Sequence, residues 1–97
     1  MTEDRREESL TLLNNTHEFP CPFLLKIIGI SENSFEARVV ATVREALGMA
    51  VDPEFNMRAT PNGVHVSVTL EPVIDSAETV LDVYDRLRNV EGVVMVM

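Results

Sequence analysis

Apolar and polar residues alternate with a period of two over residues 64–71. The inward positions are Val64, Val66, Val68 and Leu70, and the outward positions are His65, Ser67, Thr69 and Glu71. Such a pattern predicts an antiparallel strand that is buried on one face. Residues 55–60 alternate in the same way, and Pro61-Asn62-Gly63 lies between the two segments. Because an Asn-Gly pair favours a tight turn, the two segments are predicted to form a hairpin.

An earlier strand is predicted from about Pro22 to Ile30, where a nearly continuous apolar run contains one lysine, Lys26. The charge of Lys26 indicates which side faces solvent, so Leu24 and Ile28 are expected to point outward with it. Phe23, Leu25 and Ile27 then point towards the core.

Two segments repeat apolar residues every three or four positions, which is typical of amphipathic helices. The first stripe contains Phe35, Val39, Val40, Val43, Ala46 and Leu47, and the second contains Ala77, Val80, Leu81, Tyr84, Leu87 and Val90. Capping boxes are predicted at Asn33-x-x-Glu36, with Ser31 or Ser34 as alternative caps, and at Asp75-x-x-Glu78. Gly48 is expected to end the first helix, and residues 93–97 form an apolar last strand.

The resulting order β-α-β-β-α-β predicts a ferredoxin-like α+β sandwich. Right-handed crossovers give a four-stranded antiparallel sheet in the order 4-1-3-2, with both helices on one face and the other face open. This domain is expected to span residues 17–97. Residues 1–16 are acidic and are expected to be mostly flexible, apart from a short helical turn or docking through Leu10, Leu12 and Leu13.

Composition narrows the functional classes. The formal net charge is −8, with 16 acidic and 8 basic residues, and the basic residues are scattered. Nucleic acid and membrane surfaces are therefore not expected as partners. The charged N-terminus does not resemble a signal peptide, no apolar run is long enough to span a membrane, and a single cysteine favours a reducing cytoplasm.

Reactive residues are few, and an enzyme is not expected. Cys21 follows His17 by four positions, but no third group is placed to orient the histidine. His65 and Ser67 share the outward face of a strand without an acidic partner. One cysteine and two histidines show no metal-ligand spacing, so neither a metal nor a cofactor is expected.

The segment Phe19-Pro20-x-Pro22-Phe23, running into Lys26-Ile27-Ile28-Gly29, resembles the opening of the YbeD-like family of small bacterial proteins of unknown function. Two further stretches agree with it, namely Gly63 with the strand that contains Ser67, and the tail from Ala77 through Tyr84 and Leu87 to Met95-Val96-Met97. The acidic lead-in and the single lysine depart from the family pattern. The resemblance implies a ferredoxin-like fold close to ACT regulatory domains and a role in regulation or protein interaction, and the family offers no established activity or catalytic residues to carry over.

The open sheet face is the favoured candidate site, for a protein partner or a homodimer. Leu24 and Ile28 should lie beside the outward residues of the last strand, which are either Val94 and Val96 or Met95 and Met97. The other half of the face carries Asn56, Arg58, His65, Ser67 and Thr69. The predicted interface is Leu24, Lys26, Ile28, His65, Ser67, Val94 and Val96.

The alternative is an ACT-like small-molecule effector site in the loop after the first strand. This loop leads to the N-terminus of the first helix, where free N–H groups and the helix dipole favour an anion. The predicted ligand residues are Gly29, Ser31, Asn33 and Ser34. Glu32 and Glu36 would oppose an anionic ligand, and ordinary helix capping also accounts for the serines and the asparagine.

Overall fold

The computed structural model describes residues 3–97 as three helices and six strands. The helices are α1 (Glu3–Thr16), α2 (Phe35–Leu47) and α3 (Ala77–Arg88). The strands are β1 (Cys21–Pro22), β2 (Leu25–Ile30), β3 (Phe55–Ala59), β4 (His65–Leu70), β5 (Val73–Ile74) and β6 (Val93–Val96).

The main sheet has the strand order β3-β4-β2-β6, and every neighbouring pair is antiparallel. Numbered by the four main strands, this is the predicted order 4-1-3-2. The prediction of a ferredoxin-like α+β fold is therefore confirmed.

The core lies between this sheet and helices α2 and α3. Leu25 and Ile27 of β2 are fully buried, as predicted from the outward position of Lys26. The other buried apolar side chains of the core cluster come from α2, α3, β4 and the loops, and they include Phe35, Val39, Val43, Val66, Val68, Leu70, Val80, Val83 and Leu87. Val83 was not part of the predicted stripe. Val64, predicted to face inward, is exposed because it lies in the turn before β4 begins.

Strand β3 forms one edge of the sheet, and all five of its residues are exposed. Phe55 and Met57 pair with Leu70 and Val68, which places them on the helix side. They nevertheless remain 44% and 54% exposed, because an edge strand has a neighbour on one side only.

The predicted first strand is divided in two. Cys21 and Pro22 form β1, which pairs with Ile74 and Val73 of β5 in a separate two-stranded ribbon. The Phe23 N–H donates to the Pro72 carbonyl at 2.9 Å, which continues this contact beyond β1. Only Leu25–Ile30 belongs to the main sheet.

The helix ends differ from the predicted capping boxes. The N-cap position of helix α2 is Ser34, one of the predicted alternatives, but it has φ 53° and makes no side-chain cap hydrogen bond. Asn33 also has a positive φ of 54°. Helix α3 is capped by Ser76, whose hydroxyl accepts from the Thr79 N–H at 3.1 Å, and not by Asp75. Gly48 ends α2 with φ 63°, as predicted.

Helix α1 occupies most of the acidic lead-in and is longer than the short turn that the sequence predicts. Leu13 packs against the core, whereas Leu12 is exposed. The Thr16 hydroxyl donates to the Leu12 carbonyl at 2.8 Å in the last turn. The flexibility of residues 1–16 stays a prediction.

Candidate interaction surface

The face of the main sheet that points away from α2 and α3 is called the open face here. Strand register determines its rows. In one row, Thr69 of β4 lies between Lys26 of β2 and Asn56 of β3. Backbone hydrogen bonds of 2.8 and 3.0 Å between Lys26 and Met97 extend this row to the end of the chain.

In the next row, Ile28 pairs with Met95 on one side and with Ser67 on the other, and Ser67 pairs with Arg58. The two rows together give the face two chemically different halves. Apart from Lys26, the outward residues that β6 and β2 contribute to these rows are apolar, whereas those of β4 and β3 are polar or basic.

The apolar half consists of Leu24, Ile28, Met95 and Met97. Leu24 is 58% exposed, Met95 and Met97 are each 48% exposed, and Ile28 is partly exposed. The sequence predicted Leu24 and Ile28 correctly and left the last strand open between two pairs. The register selects Met95 and Met97.

Val96 therefore needs correction as a member of the predicted interface, whereas Val94 stays a prediction. Val96 pairs with Ile27 and packs against the core, so it lies on the helix side. Val94 is exposed, but it is the additional residue where the register shifts between the pairs Ile28–Met95 and Gly29–Val93. A strand without polar alternate positions carries no pattern that reveals such a bulge.

The basic half consists of Lys26, Asn56, Arg58, Ser67 and Thr69. These residues line, with Met57, a shallow cleft of about 400 Å³. Lys26 and Ser67 were predicted interface residues. Asn56, Arg58 and Thr69 were placed on this face by the alternation of their strands but were not included in the predicted site. Because these residues lie in the same cross-strand rows as Lys26 and Ser67, the strand register could have identified them as part of the site.

His65, also predicted for the interface, lies one row further along, opposite Ile30. Its main chain closes the hairpin, because its carbonyl accepts from the Thr60 N–H at 2.9 Å. His65 and Ser67 share the open face, and in the described chain no hydrogen bond joins their side chains.

Two carboxylates lie at the end of the open face beyond Thr69. Glu54 precedes β3 and Glu71 follows β4, and both line a second, wider cleft of about 900 Å³ with Leu24 and Thr69. The open face is thus basic towards its centre and acidic at this end.

The predicted effector loop is held in place by Arg38. Its guanidinium donates to the carbonyls of Asn33 at 3.0 Å, Glu32 at 3.3 Å and Glu91 at 2.7 Å, and it lies 5.6 Å from the Phe35 ring centroid. The Ser31 N–H donates to the Val64 carbonyl at 3.0 Å. Ser34 adopts the left-handed conformation, and Gly29 is buried. The hydrogen bonds of this loop therefore occupy backbone groups, namely the carbonyls of Glu32 and Asn33 and the N–H groups of Ser31 and Glu32.

Cys21 and His17 are not brought together as a reactive pair. Cys21 is partly exposed on β1. The His17 ring lies 5.0 Å from the Phe23 ring and 5.9 Å from the Phe19 ring, measured between centroids. Within residues 3–97, no group of three or more His, Cys, Asp or Glu residues is arranged to hold a metal ion.

The fold and the open face define a small ferredoxin-like α+β domain. The chain belongs to the family described as "Protein of unknown function (DUF493)", whose model matches residues 14–97. It is 38% identical over 88 residues to a UPF0250 protein of Yersinia enterocolitica, covering 90% of this chain and 98% of the relative. It is 31% identical over 83 residues to a UPF0250 protein of Shewanella oneidensis, covering 86% and 92%. The resemblance to the YbeD-like family is confirmed.

Two solved structures share the fold. The ACT domain from the GTP pyrophosphokinase of Chlorobium tepidum has a TM-score of 0.57 at 18% identity, covering 79% of this chain and 97% of that one. Protein HP0495 from H. pylori has a TM-score of 0.52 at 13% identity, covering 84% and 85%. At such identities the likeness concerns the fold alone.

No helix in the described part of the chain combines the length and apolar character that crossing a membrane requires.

Proposed function

We propose that this protein is a regulatory or protein-interaction module of the cytoplasm, which acts through its open face and without catalysis. The carrying observation is the apolar half. Ile28 and Met95 are direct cross-strand partners on a face that helices α2 and α3 do not cover. Met97 lies opposite Lys26 in the neighbouring row, and Leu24 is exposed two residues before Lys26.

Leaving these four apolar side chains in contact with water is unfavourable in free energy. Burying apolar surface is worth about 25 cal/mol for each Å² removed from water. A contiguous apolar patch rimmed by polar groups is typical of an interaction site. Lys26 and Ser67 provide that polar rim in the adjoining row positions.

The matched variants Ile28→Asp and Val73→Asp test this proposal. Both place a carboxylate at an apolar β-strand position, but Val73 lies outside the main sheet and is 63% exposed. We expect Ile28→Asp to weaken association and Val73→Asp to leave it unchanged. Self-association is measured by analytical ultracentrifugation. Binding to other proteins is measured by immobilising each variant and comparing the amounts of cell protein that it retains.

Circular dichroism and thermal unfolding should show that Ile28→Asp keeps the fold, because Ile28 is partly exposed and its neighbour Ile27 supplies the buried contact. Equal association of the wild type and Ile28→Asp in both assays contradicts the proposal. Equal weakening by both variants also contradicts it.

The alternative function is the ACT-like effector site in the loop of residues 29–34. It draws support from the likeness of fold to the ACT domain of Chlorobium tepidum. It is the weaker proposal, because Arg38 and backbone contacts already use several polar groups of this loop. A metabolite that raises the melting temperature of the wild type, but not of Asn33 and Ser34 variants, supports it.

A further inference from the structure

We infer that the basic half of the open face binds carboxylates of an acidic, amphipathic protein segment. This inference rests on the proposed function and specifies the chemistry of the partner. It assigns Lys26 and Arg58 as the charged contacts, with Ser67, Thr69 and Asn56 between them.

The first support is that the side chains of these two cations have no partner in the part of the chain that the structure describes. In the structure of residues 3–97, no hydrogen bond or ion pair involves the side chain of Lys26 or Arg58. Three arginines of α2 and α3 behave differently. Arg44 pairs with Asp52 at 3.1 Å, Arg86 pairs with Asp82 at 3.1 Å, and Arg88 pairs with Asp85.

This difference is notable in an acidic chain. Acidic residues outnumber basic ones by 16 to 8, yet the side chains of the two central rows of the open face include Lys26 and Arg58 and no Asp or Glu. Like charges on one face repel each other, and an anion bound between them relieves that repulsion.

The second support is the composition of the cleft between the two cations. Ser67 and Thr69 of β4 lie between Lys26 of β2 and Arg58 of β3. Neighbouring strands are about 4.8 Å apart, so the two cations stand on strands separated by about 10 Å. Their long side chains flank a cleft whose floor offers two hydroxyl groups and the Asn56 amide, all of which can donate to a carboxylate.

The third support is the position of the cleft beside the apolar half. Ile28 and Ser67 are direct cross-strand partners, so apolar and basic surfaces adjoin within one row. A helix is about 10 Å across, similar to the separation of strands β2 and β3, whose cationic side chains flank the cleft. An amphipathic segment with apolar residues on one side and carboxylates on the flank matches both halves at once. Charge complementarity therefore favours an acidic segment over a neutral or basic one.

A labelled synthetic peptide with a leucine face and a glutamate flank tests the inference, with a glutamine-for-glutamate counterpart as its control. We expect the glutamate peptide to bind the wild type more tightly, with affinity falling as salt rises. The double variant Lys26→Gln with Arg58→Gln should weaken this binding by about tenfold or more. The matched variant Arg86→Gln removes a positive charge from α3 and should leave binding unchanged.

Each other outcome overturns the inference. Equal binding of the two peptides would show that the carboxylates do not contribute. Absence of binding would show that the cleft is not a binding site for such a segment. If Arg86→Gln weakens peptide binding as much as the Lys26/Arg58 double variant does, the effect comes from net charge and not from the cleft. Competition by inorganic phosphate at the peptide's own concentration assigns the cleft to a small free anion.

The proposed function fails separately. If Ile28→Asp abolishes association of the protein while the Lys26/Arg58 double variant binds partner and peptide as the wild type does, the open face is an interface without an acidic partner. If Ile28→Asp has no effect on association, the proposed function itself is wrong.

Discussion

Gly29 of β2 lies directly against the ring of Phe35, the first residue of α2. A Cβ atom added to Gly29 would overlap the Cζ and Cε1 atoms of this ring and would also lie 2.8 Å from the Gly92 carbonyl oxygen. Gly29 is therefore the point where the sheet, helix α2 and the loop before β6 pack together. A side chain at this position would separate them.

We predict that Gly29→Ala destabilises the protein by about 1–3 kcal/mol, because overpacking a rigid core forces side chains or backbone to shift. Urea denaturation measures the change in the free energy of unfolding. In the double variant Gly29→Ala with Phe35→Leu, the smaller side chain should relieve part of the overlap. The combined loss should then be smaller than the sum of the single losses. Simple additivity would contradict the packing relationship.

Arg38 should hold the loop of residues 31–34 against the loop before β6. Arg38→Gln removes the charged donor from three carbonyls, and we expect a loss of about 1 kcal/mol. Hydrogen exchange should become faster at the amides of Ser31 and Val93, near the two ends of this contact. Arg44→Gln is the control, because an exposed salt bridge contributes little. Unchanged exchange in Arg38→Gln would show that the loops hold together without the guanidinium.

The N-terminus of α2 is expected to gain stability from Ser34→Gly. Ser34 has φ 53° and caps nothing with its side chain, so glycine removes backbone strain at no loss of a hydrogen bond. We expect a gain of about 0.5 kcal/mol in the free energy of unfolding, after allowing for the greater freedom of glycine in the unfolded chain. A loss of stability would indicate that the Ser34 side chain has an energetic role.

The N-terminus of α3 should respond in the opposite way. Ser76→Ala removes the acceptor of the Thr79 N–H, and we expect a loss of about 1 kcal/mol. Asp75→Asn is the control, since Ser76 and not Asp75 is the cap. Thermal or urea unfolding of both variants distinguishes the observed cap from the predicted one. A larger loss with Asp75→Asn would favour the predicted capping box.

Tyr84 should make stability depend on pH in the alkaline range. Burial raises the pKa of its hydroxyl above the usual 10.0, and the positive charge of Arg88 partly offsets this shift. Since the folded state disfavours the phenolate, this contribution is complete below the pKa of the unfolded chain. It is lost as pH rises through the folded pKa. Relative to Tyr84→Phe, the wild type should lose stability above about pH 10. If the free energies of unfolding of the wild type and Tyr84→Phe change in parallel with pH, the prediction is wrong.

The order of the main elements could be predicted from the sequence, because periods of two and of three to four distinguish strands from amphipathic helices. Lys26 also identified the outward side of β2. The position of β3 at the edge of the sheet could not be predicted from its residue pattern. Phe55 and Met57 alternate like core residues, and only the sheet order shows that they lie at its edge.

Other features depend on tertiary contacts that no local pattern reveals. The β1–β5 ribbon joins two short segments that are far apart in the chain. The bulge in β6 determines that Met95 and Met97 face outward. The contact of Phe35 with Gly29 occurs where α2 begins after two residues of positive φ, Asn33 and Ser34. The basic half escaped full prediction because its residues come from three strands.

The central claim is that the open face is the surface of association. Methyl-labelled protein, observed by NMR while unlabelled protein or extract of its native cells is added, tests it most directly. We predict that signal loss is confined to Leu24, Ile28, Met95 and Met97, and that Val51 and Val73, which are exposed elsewhere, keep their intensity. Signal loss centred on Val51 or Val73, or no localised loss under either condition, would contradict the claim.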